Sequence, residues 1–388
     1  MKPMRLAALG LSLPAVLLSL LPAAASAAGP GADHPHQSAA VAGWVYVDDN
    51  TAGENTIAGF DRHADGTLTP LPGSPFPAGG AGNGVGTGSQ GALQRSSDGK
   101  YLLAVDAGSS QVSVLRIGPN GEPKLVELAS SDGVKPVSIA VHDGLVYVAN
   151  SGGAEPNYTG FTLNGGGHLR PLAGSTVTLP EGSEPGDVLF NSTGTTLVGV
   201  RVATSLIDSF AVGRDGLLST APGSPIEAQG PGPFGSEFRP TNPSQLFVSN
   251  AHGGEGAGTI SAFSVAGDAA LSSIGESPFA DHETAPCWVE ISHDGSYLFT
   301  VNTGSDSISS YSIASEGSLG LLGSTPLRQA KAGPFDARLA PDGGTLWVVE
   351  DAGKGVAGFT VEGGHLSELP SSPTALPEGS KPFGIVVT

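Results

Sequence analysis

The chain has 388 residues, a formal charge of -19 and a single cysteine. Such an acidic surface repels nucleic acid and anionic lipid, whose phosphates need Lys and Arg to neutralise them, and one cysteine excludes an intramolecular disulfide framework. Stability must come from an apolar core, for which the length is ample.

The first element in chain order is a secretory signal. Lys2 and Arg5 precede an apolar stretch from Leu6 to Leu21, closed by the small-residue run Ala23 to Ala28. This reads as a signal peptide over 1–28, cleaved after Ala27 or Ala28, which places the mature chain outside the cytoplasm, extracellular or periplasmic. Cys287 lies far from that cleavage region, so no lipid-modified cysteine anchors the product there, and no later apolar run is long enough to span a bilayer. Residues 29–42 read as a polar linker and 43–388 as the folded domain.

Within that domain 59 glycines and 31 prolines are counted over the whole sequence, and they punctuate short runs of Val, Ile, Leu, Phe and Tyr. The pattern is all-β with many turns. One apolar run ending in a polar residue recurs seven times: Val45 to Asp49, Leu102 to Asp106, Val146 to Asn150, Leu197 to Arg201, Leu246 to Asn250, Leu298 to Asn302 and Leu346 to Glu350. Most copies follow an Asp-Gly turn, as at Asp98-Gly99, Asp143-Gly144, Asp294-Gly295 and Asp342-Gly343, where both central positions are expected at positive φ. A second apolar run follows each copy, then a weaker Gly-x-Leu strand, then a run usually opened by proline, such as Pro136 to Val141 or Pro286 to Ile291. Gln90 to Gln94 holds that last place without a proline.

Four short strands with a period of roughly 45 to 50 residues make a propeller blade, and seven copies make a seven-bladed β-propeller. Both faces of each blade are then covered by neighbours, which explains runs that are continuously apolar. The domain starts in a second strand and ends in a first strand, Pro382 to Val387. The C-terminal strand is therefore expected to join the N-terminal blade and close the ring.

Starts of first strands and ends of second strands share one face around the axis, so a site is expected there. Arg201 stands out because its column otherwise holds Asp, Asn and Glu. It reads either as an anchor for a substrate carbonyl or carboxylate, or as half of an internal salt bridge. Asp187, Asp336 and Glu237 are candidate proton carriers. Gln90, Ser138, Asn150, Asn250, Trp288, Asn302 and Glu350 complete a polar ring for binding a small molecule. Cys287 beside Trp288 reads as a buried apolar residue rather than a nucleophile. His252, His168 and His365 fall on turns. No metal-ligand spacing or cofactor motif is present, so neither a metal nor a cofactor is expected.

The segments Gly88 to Leu93, Pro136-Val137-Ser138, Pro233-Phe234-Gly235, Cys287-Trp288-Val289 and Pro334-Phe335-Asp336 resemble the lactonase-like seven-bladed propellers. That family includes bacterial 6-phosphogluconolactonases and fungal carboxymuconate-lactonizing enzymes. The resemblance implies opening or forming a small lactone or muconate-type acid, with Arg201 polarising the carbonyl and Asp187, Asp336 or Glu237 handling the proton. Members of the family present histidine near the start of a first strand, and every corresponding start here lacks one. Export and the acidic surface argue against a phosphorylated sugar lactone. The alternative reading is a non-catalytic extracellular propeller that binds a cell-wall or protein partner. Under either reading the mature chain is expected to act as a monomer.

Overall fold

The seven recurrent apolar runs are the second strands of seven antiparallel sheets, arranged as blades around a common axis. The computed structural model describes residues 39–388, and among them there is no helix. The signal and the linker up to Ser38 lie outside the described residues. The first strand of the domain starts at Val41, so the last two residues of the expected linker already belong to it.

Blades 1 to 7 have as second strands Val41–Asp48, Tyr101–Asp106, Leu145–Asn150, Thr196–Arg201, Asn242–Asn250, Tyr297–Asn302 and Thr345–Glu350. Their apolar residues are buried on both faces because consecutive blades pack against each other. One cluster joins Tyr147 and Tyr158 of blade 3 to Phe190, Leu197 and Phe210 of blade 4, and another joins Val45 and Phe60 of blade 1 to Trp347 and Val356 of blade 7. Tyrosines of the second strands tie neighbours further. The hydroxyls of Tyr46, Tyr101 and Tyr147 donate to the carbonyls of Gly121, Gly165 and Gly216, each on a turn of the next blade.

Ring closure follows the phase of the repeat. The C-terminal strand Ile385–Val387 pairs with Val41–Asp48 as the inner strand of blade 1, in the register Val45 with Val387 and Val47 with Ile385. Thr388 Oγ1 accepts the Trp44 N–H at 2.9 Å.

Three details differ from the sequence-based expectation. The fourth strand is continuous only in blades 2 and 6, as Pro123–Ser130 and Leu319–Pro326, and elsewhere splits into two short pieces that both pair with the third strand. In the Asp-Gly turns only one residue is left-handed: the glycine at Gly99, Gly295 and Gly343, but Asp143 in the fourth. The Gly99 N–H bonds the Ser96 carbonyl, so the loop is a four-residue turn rather than a two-residue hairpin. In blade 2 the inner strand is Leu93–Arg95, because Gln90 and Gly91 leave the sheet and cross the axis.

Candidate active site at the mouth of the propeller axis

The column of second-strand ends faces the blade interiors, where each polar side chain meets the third strand of its own sheet. Arg201 Nε donates to Asp208 Oδ2 at 2.7 Å and Nη2 bonds the other oxygen, with the arginine side chain 10% exposed. The register brings Gly199 opposite Asp208, so the two side chains meet across adjacent strands. Tyr158 of blade 3 donates its hydroxyl to the same carboxylate. Arg201 is thus half of an internal salt bridge, and its guanidinium is not presented to the axis. Asn150 bonds Asn157, Asn250 bonds Ser261 and Asn302 bonds Ser309 in the same manner, at 2.9 to 3.0 Å. These four residues, expected to bind or act on substrate, instead hold the second and third strands together. Glu350 is the exception in the column: fully buried, with both carboxylate oxygens lacking a hydrogen bond among the described residues. Burial, then Glu368 and Asp306, push its carboxyl up to about 7.

The inner-strand candidates do converge on the axis. Asp187 of blade 4 accepts from both the backbone N–H and the hydroxyl of Ser236 in blade 5, at 2.9 and 2.6 Å, and from the Ser138 hydroxyl of blade 3 at 3.3 Å. Gln90 donates Nε2 to the Ser236 carbonyl and accepts the Val289 N–H of blade 6, while its own N–H bonds the Gly186 carbonyl. Gly91 N–H points at Asp336 of blade 7, its carbonyl accepts the Ile139 N–H, and the Ser89 carbonyl accepts Trp288 Nε1. Residues 89–91 therefore plug the axis, bonding to the inner strands of five blades. Glycine is needed at 91, where φ is +80° and an added Cβ would lie 3.1 Å from Ser138 Oγ.

Deeper along the axis Arg338 Nη1 donates to Glu290 at 2.8 Å and lies 3.9 Å from Glu237. Burial works against the Arg338 charge, but Glu290, Asp336 and Glu237 more than offset it and hold the guanidinium protonated. Glu237 is shifted upward by burial and by Glu290, with Arg338 opposing. Burial raises Asp187 to about 7 against the bonds from Ser236 and Ser138, and raises Asp336 to about 6. Asp187, Asp336 and Ser138 are buried and engaged with backbone or neighbouring hydroxyls, so this layer is a closed polar core.

Open space lies above the plug, on the face where strand starts and strand ends meet. A cavity of about 270 Å³ is lined by Thr87, Gly88, Lys135, Ser151, Glu184, Pro185, Val202, Phe234 and His252. Lys135 and Glu184 each precede the proline that opens an inner strand, and their carbonyls accept the N–H groups of Ser151 and Val202. Gly232, Ala285 and Gly333 occupy the same place in blades 5 to 7, and all five residues have positive φ. This position suits glycine, yet blades 3 and 4 put long charged side chains there, at φ 55° and 48°. His252 packs over Gly232 and meets Phe234 edge to face at 6.5 Å.

The sequence names His252 only as a turn residue and does not single out Lys135, Ser151 or Glu184, although the residue before an inner-strand proline, as at Lys135 and Glu184, is a readable position. Trp288, placed in the ring by its sequence, belongs to an aromatic cluster beside the cavity: it lies 5.5 Å from Phe234 and 4.7 Å from Phe335, which stacks on Phe383 at 4.6 Å. Two clefts on the opposite face, about 340 and 300 Å³, lie between Asp-Gly turns of blades 2 and 3 and of blades 6 and 7. Asp98 and Asp294 there are bonded to Ser96, Lys100, Ser292 and Ser296 of their own turns.

The sequence profile of the lactonase family, described as a seven-bladed β-propeller, matches residues 238–382. Among solved structures, a candidate 6-phosphogluconolactonase from Bacteroides uniformis is 20% identical, with a TM-score of 0.71 over 88% of this chain and 98% of its own. The Pseudomonas aeruginosa periplasmic gluconolactonase PpgL is 15% identical, with a TM-score of 0.70 over 89% of this chain and 98% of its own. At these identities the likeness is one of fold. No curated protein sequence matches the chain. The closed ring of seven blades and the shared architecture make this chain a seven-bladed β-propeller, and over residues 238–382 it is similar to the lactonase family.

Proposed function

We propose that the protein is an exported hydrolase that opens a small lactone in the cavity at the axis mouth. The observation that carries the reading is the placement of Lys135 and Glu184, two charged side chains held in a left-handed conformation that the equivalent blades give to glycine or alanine, on the wall of one cavity with His252. Backbone strain of this kind persists where function requires a side chain at a fixed point.

In this reading the His252 imidazole takes a proton from water as its oxygen bonds to the lactone carbonyl carbon. The Lys135 ammonium stabilises the negative charge that develops on the carbonyl oxygen. Cleavage of the ring C–O bond then returns the proton to the departing alkoxide and leaves a hydroxy acid, whose carboxylate Lys135 also attracts. Glu184 supplies an acceptor for hydroxyls or for the protonated imidazole. Arg201, Asp187 and Asp336 serve the scaffold, and Glu237 sits below the plug, remote from the cavity.

The purified mature protein, assayed at neutral pH against a panel of five- and six-membered lactones, tests this. Turnover that falls at least about a hundredfold in both Lys135→Met and His252→Ala is expected. Turnover unchanged in both variants, or absent for every lactone, would overturn the reading.

A further inference from the structure

The mouth of the axis is polar on one side and apolar on the other. Phe234 belongs to both halves, since it lines the cavity beside Lys135 and His252 and meets Trp288 edge to face at 5.5 Å. From Trp288 the aromatic cluster continues through Phe335 to Phe383; Trp288 and Phe383 are buried, and Phe335 is partly exposed. The segment Val85–Gly88 runs over these rings. Its two glycines are exposed, and a Cβ at Gly86 would lie 3.4 Å from Phe383 Cζ and one at Gly88 3.8 Å from Phe234 Cζ. No side chain from either position covers the rings.

Val85, which opens this segment, has 60% of its surface exposed, and its backbone is anchored where its carbonyl accepts from Asn50 Nδ2 at 2.7 Å. On the far rim Val134, 52% exposed, directly precedes Lys135 and packs beside Gly152 and Gly153. Val85 is the most exposed large apolar residue among those described, Val134 matches Val41 in exposure, and both Val85 and Val134 lie on loops of this face. Exposed apolar side chains close to a polar cavity, Val85 two residues before Thr87 and Val134 beside Lys135, point to a ligand with the same two parts.

We propose that the lactone taken by this site carries an apolar substituent of several carbons, seated along Val85, Phe335 and the glycine segment while the ring occupies the polar cavity. The proposal rests on the lactone reading above. It also distinguishes the substrate from a sugar lactone, whose hydroxyls would lie against Phe335 and Val85 without partners.

The test is a series of γ-lactones bearing no alkyl chain, a four-carbon chain and an eight-carbon chain, followed by both turnover and equilibrium binding on the full mature protein. Buried methylenes strengthen binding, so kcat/KM is expected to rise at least about tenfold from the unsubstituted to the eight-carbon compound. Val85→Ser and, separately, Phe335→Ser should each shrink that ratio; Val85→Ser serves as the surface variant if Phe335→Ser fails to fold. Equal kcat/KM along the series, or a ratio that neither variant changes, overturns the apolar subsite and leaves the hydrolase reading intact. If no member is hydrolysed but calorimetric affinity still climbs with chain length and falls in Val85→Ser, the subsite stands and the hydrolase reading falls. Affinity that is flat with chain length removes the subsite.

Discussion

Ser236 gives both its backbone N–H and its hydroxyl to a single oxygen of Asp187, across the interface between blades 4 and 5, with neither residue exposed to solvent. The Ser138 hydroxyl reaches the other oxygen from blade 3, so one carboxylate links three blades around the axis. Asp187→Ala leaves these donors buried and unpaired, and each unsatisfied buried group costs about 1–3 kcal/mol. A loss of about 3 kcal/mol in urea unfolding is expected. A loss below about 1 kcal/mol would show that the linkage contributes little.

Lys135 offers a test in which stability and activity move in opposite directions. The left-handed region costs a non-glycine residue roughly 1–2 kcal/mol, and glycine recovers part of this while loosening the unfolded chain. Lys135→Gly is expected to raise the unfolding free energy by up to about 1 kcal/mol and to abolish lactone turnover. A destabilised variant would mean that the side chain itself supports the fold.

Glu350 sets a pH dependence. Its carboxyl is raised from an ordinary value of 4.5 to about 7, first by burial and then by Glu368 and Asp306. The folded state therefore binds the proton more tightly than the unfolded chain. Its contribution to stability is fully present below about pH 4.5 and is lost as pH rises through 7. Glu350→Gln cannot ionise, so the variant should be more stable than the parent above pH 7 and show a flatter profile of unfolding free energy from pH 4.5 to 8. Parallel profiles for the two proteins would contradict this assignment.

Ile385 is fully buried in the strand that closes the ring and sits opposite Val47. Truncating a buried isoleucine to alanine costs about 2–5 kcal/mol. Ile385→Ala should lower the calorimetric melting temperature of the whole domain in one transition, because every blade depends on closure. A local loosening of the C-terminus with an unchanged melting temperature would show that the ring holds without this strand.

Cys287 is buried, and burial pushes its thiol up to about 12 despite a bond with Thr303. A thiol of that kind is not a nucleophile near neutral pH. Native protein at pH 8 should resist an aromatic disulfide reagent and react once per chain after unfolding; rapid labelling of the folded protein would reopen a role for the residue.

The seven second strands and the closure by residues 385–387 are legible in the sequence because burial on both faces of a blade demands continuous apolar runs, and those runs keep a regular period and phase. The destinations of the polar residues are not legible in the same way. Arg201 and Asp208 lie seven residues apart, and only the strand register brings them together. Ser236 takes the axial position beside Asp187 because the pairing shifts between Pro233 and Ser236, moving each later side chain by one place.

What the sequence determined alone is the all-β repeat, its count and its closure, since these follow from the spacing of apolar residues along the chain. The tertiary structure alone decided that residues 89–91 plug the axis, that Arg201 is spent on Asp208, and that Lys135, Glu184 and His252 share a cavity. Hydrophobic burial is read locally and repeats with the backbone, whereas a polar side chain's role depends on which distant partner the ring brings within hydrogen-bonding reach.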